Sequence, residues 1–147
     1  TDLVTYAGGD TSAATIERIT DFVAGTDQIR IVAGSIFAGV TTTGSTGVTL
    51  TTVATPITAG ANSASVTALT AAFQTANNGV LSTAGAASAS TGLQAYLFTT
   101  AGTLGTGLEG RTFLVINDTT ATLQAADVII DLTGISGTLS ASDIIVS

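Results

Sequence analysis

The segment from Arg111 to Gly134, RTFLVINDTTATLQAADVIIDLTG, constrains the fold more than any other stretch of this chain. Arg111 to Ile116 is dense in β-branched and aromatic residues, which pack well on a pleated surface. Asn117-Asp118-Thr119-Thr120 has turn chemistry, because short polar side chains bond their own main chain. Val128-Ile129-Ile130 then opens a second strand, which Asp131 interrupts and Gly134 ends. Two strands this close in sequence predict an antiparallel hairpin with a longer loop. Phe113-Leu114-Val115-Ile116 is apolar without alternation, so both faces of that strand are expected to be covered. The hairpin therefore belongs near the middle of the fold.

Length and composition bound the rest. The 147 residues are read as a single β-rich domain spanning 1–147. A chain of that size buries about 70% of its unfolded surface, enough for a core without staples. Charged residues make up 9%, against about 25% in ordinary globular chains. The apolar residues come in short runs broken by Thr, Ser and Gly, and no run approaches the ~20 needed to span a bilayer. A soluble chain without membrane insertion is the expectation.

The net charge is −7, and the cations are Arg18, Arg30 and Arg111 alone. Three scattered arginines cannot track a phosphate backbone, which excludes nucleic acid, and anionic lipid is disfavoured for the same reason. Such a chain attracts cations, calcium foremost. Cys and His are both absent, which removes zinc and iron–sulfur sites, a Cys nucleophile and a Ser-His-Asp triad. Lys is absent too, so a Ser-Lys dyad is impossible. General acid–base catalysis needs two groups with divergent pKa values in one pocket, whereas the acids here are spread through turns. No enzymatic activity is expected. The opening TDLVTYAGGD has neither the basic and apolar regions of a signal peptide nor an initiator Met, so a processed product or fragment is expected.

Along the chain, Asp2 to Ala7 reads as a strand stopped by Gly8-Gly9-Asp10. Thr15 to Phe22 reads as another, anchored by Ile16, Ile19 and Phe22. Ala24-Gly25-Thr26-Asp27 is a tight turn into Gln28 to Val32, where Ile29 and Ile31 alternate with Gln28 and Arg30. This pair predicts a second hairpin. Val48 to Ala54 favours strand, and Pro56, the lone proline, marks an edge or a break. Residues 65–77 predict one amphipathic helix, because Val66, Leu69, Phe73 and Ala76 form one apolar stripe that suits docking on a sheet. Ser63 or Ser65 caps its start and Asn78-Gly79 its end. Residues 79–92 read as a small-residue loop, Gln94 to Thr99 as strand, and Ile144-Ile145-Val146 as a short last strand.

Two segments resemble one family. Ile16 to Ile31, IERITDFVAGTDQIRI, is similar to the I-x-D-F-x-x-G-x-D-x-I-x-[LI] element that follows the last nonapeptide repeat of serralysin-type RTX proteins. The preceding TDLVTYAGGDTS resembles the strand and turn closing the final coil of a calcium β-roll. Arg111 to Val146 resembles the C-terminal segment of the same proteins and of RTX-type surface-layer proteins. The matching positions are Ala126, Asp127, Val128, Ile130, Leu132, Gly134, Leu139, Asp143 and Ile144. The chain departs from the pattern in lacking any GGxGxD repeat, and in having one carboxylate, Asp118, in the turn after the first strand. Residues 35–108 match nothing in the family and read as insertion-like.

The resemblance implies a domain that caps a β-roll and leaves through a type I secretion channel, its uncleaved signal at Asp143, Ile144, Ile145 and Val146. The expected fold is mainly β: a largely antiparallel sheet or sandwich, or a β-roll cap, with the one helix. Calcium ligands are sought among Asp10, Asp21, Asp27, Asp118 and Asp127, all beside turns or strand starts. Four of them also have a plainer reading. Asp10 suits a turn former, Asp27 an Asx-type turn, and Asp21 a partner for Arg18 or Arg30, while Asp127 suits the organiser of the turn into its strand. The expected function is a non-catalytic C-terminal domain that directs type I secretion and joins calcium-dependent extracellular assembly with other copies of itself, in a surface layer or filament. Thr/Ala/Gly/Ser-rich surfaces suit lattice contacts because they pair without burying charge. The rival is a monomeric secretion and folding cap for an upstream secreted enzyme or adhesin.

Overall fold

Most strands form where β-branched and aromatic residues cluster, and the eight among the described residues make two sheets. The structure is a computed structural model that describes residues 2–7, 16–32, 48–53, 93–101, 109–117 and 127–147. In chain order the strands are β1 (Leu3–Tyr6), β2 (Glu17–Arg18), β3 (Gln28–Ile31), β4 (Val48–Thr52), β5 (Leu93–Thr99), β6 (Thr112–Asn117), β7 (Val128–Asp131) and β8 (Ile144–Val146). A single 3-10 turn, Ala141–Asp143, is the helical element among the described residues. No helix among them is long and apolar enough to cross a membrane.

One sheet has the order β2-β7-β6-β5-β4 and the other β1-β3-β8. The hairpin expected from Arg111 to Gly134 is present: β6 pairs β7 antiparallel, with Phe113 opposite Asp131 and Ile116 opposite Val128. It sits at the centre of the larger sheet, flanked by β5, which also runs antiparallel to β6. Phe113, Leu114, Val115 and Ile116 are all fully buried, as an apolar run without alternation requires. Asp131 closes β7 rather than interrupting it. The region 35–108 supplies β4 and β5, so part of the expected insertion completes the main sheet.

Two expectations are corrected. Pairing is mixed rather than largely antiparallel: β1, β3 and β8 are all parallel, as are β2 with β7 and β4 with β5. The strands around the 24–27 turn do not form a hairpin either, because β2 joins the larger sheet and β3 the smaller. The turn is a corner. Phe22 and Ile29, on either side of it, both enter the core shared by the two sheets. The helix predicted for 65–77, its caps, Pro56 and the 79–92 loop lie outside the described residues.

The corner also explains the parallel pairing. From β2 through Val23 to β3 the chain makes one bent course, and from β7 through Ser136 to β8 it makes another, stacked on the first in the same direction. Main-chain bonds run along the seam: Ile19 N–H to Asp131 O at 3.0 Å, Ser136 N–H to Phe22 O at 3.0 Å, and Ala24 N–H to Ser136 O at 2.9 Å. Gly137 lets the two courses meet. Its φ is +84°, and a Cβ there would lie 3.3 Å from the Cβ of Ala24. Between the sheets Tyr6, Phe22, Ile29, Ile31, Leu114, Ile116, Ile130, Ile144 and Val146 form one buried cluster.

Candidate functional site

Two of the residues singled out in sequence, Asp27 and Asp143, meet at that corner. Asp27 is 5% exposed and Asp143 3% exposed, rare burial for carboxylates and sustained only by partners. Asp27 Oδ2 accepts the N–H of Val23 at 2.9 Å, closing its own turn. Its Oδ1 accepts the N–H of Asp2 at 2.8 Å, reaching across to the strand before it in the sheet. Asp143 repeats the arrangement one strand on. Its Oδ2 accepts the N–H of Ser140 at 2.8 Å and the Ser140 hydroxyl at 2.9 Å, closing the 140–143 turn. Its Oδ1 accepts the N–H of Gly25 at 2.8 Å, reaching back into the Asp27 turn. The 23–27 turn is thus held from within by one carboxylate and from the next course by another.

These bonds set the electrostatics. The N–H of Asp2, and after it that of Val23, hold the Asp27 carboxyl below its ordinary range, outweighing the opposing effect of burial. Both oxygens of each corner carboxylate already accept a main-chain N–H. Chemically the pair acts as clips that satisfy turn donors without a water shell.

A second buried carboxylate cluster was not anticipated. Asp131, 1% exposed, accepts from Arg111 Nη1 at 2.9 Å, with Arg18 Nε at 3.8 Å. The N–H of Thr133 bonds its Oδ1 at 2.9 Å, and the Thr133 hydroxyl bonds the same oxygen. Arg18 thereby turns to Asp131 rather than to Asp21, and Arg30 Nε bonds the Ser147 hydroxyl at 2.8 Å. The expected pairing of Asp21 is not made, and Asp21 stands exposed. One signal for Asp131 was present in the sequence: an acid following three apolar β-branched residues sits where only a partnered charge is tolerated.

Of the other expected ligands, Asp127 is fully buried at the start of β7. Asp10 and Asp118 lie outside the described residues. Among the described residues no three of His, Cys, Asp and Glu gather as a metal-binding group. In the C-terminal tail, Asp143, Ile144 and Val146 are buried and Ile145 is half-buried, with β8 parallel to β3. Comparison of the chain with protein-family models, with curated proteins and with solved structures finds no match.

Proposed function

We propose that this chain is a non-catalytic C-terminal domain of the RTX type, with its type I secretion signal in Asp143, Ile144, Ile145 and Val146. The folded domain then takes part in calcium-dependent extracellular assembly, as a surface-layer or filament component. One observation supports this reading above the others. The two segments that carry the resemblance, Ile16 to Ile31 and Arg111 to Val146, lie strand on strand through the pairs β2–β7 and β3–β8. Ends that merely shared a motif would be free to fold apart; here each completes the other's sheet. Burial of Asp143, Ile144 and Val146 suits a signal presented by the unfolded chain and then taken into the core. Calcium belongs to the proposal through Asp21, the exposed one of the three candidate ligands that lie among the described residues.

Export and assembly are tested separately. Removing Ser142 to Ser147 is expected to abolish export in cells that carry a type I apparatus, and undiminished secretion refutes the signal. Particle size measured by gel filtration and electron microscopy is expected to rise with calcium. A monomer indifferent to calcium at high concentration removes the assembly half and leaves the monomeric cap.

A further inference from the structure

We propose that copies of this chain join head to tail through the outer edges of the three-stranded sheet, with β8 of one copy pairing in parallel with β1 of the next. The inference rests on the assembly half of the reading above and names its interface. Among the described residues β1 and β8 are the two outer strands of the order β1-β3-β8, and both run in the same direction as β3. A β1 from another copy can therefore follow β8 as β3 follows β1.

Hydrogen-bonding parity agrees. Gln28 N–H bonds Asp2 O and Val32 N–H bonds Tyr6 O, so the even-numbered residues of β1 face β3 and the main chain of Leu3 and Thr5 faces outward. Ser147 N–H bonds Ile31 O, so Ile145 and Ser147 face β3 and the main chain of Ile144 and Val146 faces outward. Pairing Leu3 with Ile145 of the neighbour lets Leu3 N–H meet Ile144 O and Leu3 O meet Val146 N–H. The same register sets Val4, which packs on the core, beside the buried Val146. It also covers Leu3, one of the large apolar side chains left exposed, at 51%.

Neither edge carries the usual defence against such pairing. The sequences LVTY and IIV contain no charge and no proline, the residues with which natural sheets blunt their outer strands. A second copy is the occupant because the two edges complement each other. A strand supplied from elsewhere would satisfy β1 and leave β8 open.

The chain has no cysteine, so cross-linking is clean. Within one copy Leu3 and Ile145 lie on opposite sides of β3, two strand spacings across and two residues along, about 12 Å apart and beyond the reach of a disulfide. The doubly substituted Leu3→Cys/Ile145→Cys chain, oxidised in calcium, is expected to give a ladder of covalent multimers that thiol collapses. A mixture of the two single variants should stop at dimers, and Leu3→Cys alone should stay monomeric. Thr5→Pro removes an outward N–H and leaves the bonds to β3 intact, so it is expected to keep the wild-type circular dichroism and lose the particles. Calcium-induced particles without the 3–145 cross-link, or equally abundant in Thr5→Pro, overturn the edge pairing and leave the assembly reading standing. Wild-type chain that stays monomeric at every calcium and protein concentration overturns both.

Discussion

In the larger sheet the central strand β6 buries four apolar side chains in succession, and β7 beside it is buried along its whole length. In the smaller sheet burial alternates along β3 and β8, and each is entered through a turn that a carboxylate closes. The first sheet is held by area removed from water, which needs no particular partner. In the second the alternate side chains of β3 and β8 are only half-buried, so it fully buries about half as many side chains per strand and adds fixed polar bonds at its corners. The difference shows two uses of a buried acid: Asp27 and Asp143 accept main-chain N–H groups at the corners of the smaller sheet, while Asp131 in the larger sheet is held chiefly by Arg111 and Arg18.

The comparison predicts an order of sensitivities. Leu114→Ala, at a fully buried site in the shared core, should cost about 2–5 kcal/mol in denaturant unfolding. Asp143→Ala orphans the N–H groups of Gly25 and Ser140 and should cost about 1–3 kcal/mol. Asp143→Asn, which keeps one carbonyl acceptor, should cost less. If Asp143→Ala costs as much as Leu114→Ala, the corner rivals the core and the contrast between the sheets breaks.

The smallest effect sharpens the contrast through pH. The carboxyl of Asp27 is held low in the folded state, so its contribution is complete above its unfolded pKa of about 3.9 and is lost as pH falls through the folded value. Acid titration of unfolding should show wild-type stability falling below about pH 4, with a shallower fall in Asp27→Asn. An unchanged acid limb in that variant would remove Asp27 from the corner's account. Leu114→Ala should lower the whole curve without changing its acid slope.

Some of this was legible in the residues. Phe113 to Ile116 announced a strand covered on both faces, and the Ile29/Ile31 alternation announced which side of β3 faces inward. The corner was not legible. Ala24-Gly25-Thr26-Asp27 has the composition of a reversal, and nothing local says that Asp27 will reach Asp2 or that Asp143 will reach Gly25. The second of those bonds spans more than a hundred residues. Asp131 was likewise read as a break in its strand, because its partners Arg111 and Arg18 are distant in sequence.

Strand identity, the two-faced burial of the central hairpin and the lack of thiol, imidazole and amine side chains are properties of the residues themselves. Hydrophobic run length and side-chain chemistry are local. Strand direction, the partition into two sheets and the commitment of the buried aspartates belong to the folded molecule alone. They depend on which backbone donors arrive from remote parts of the chain, and a carboxylate is tolerated in the core only where those donors meet it.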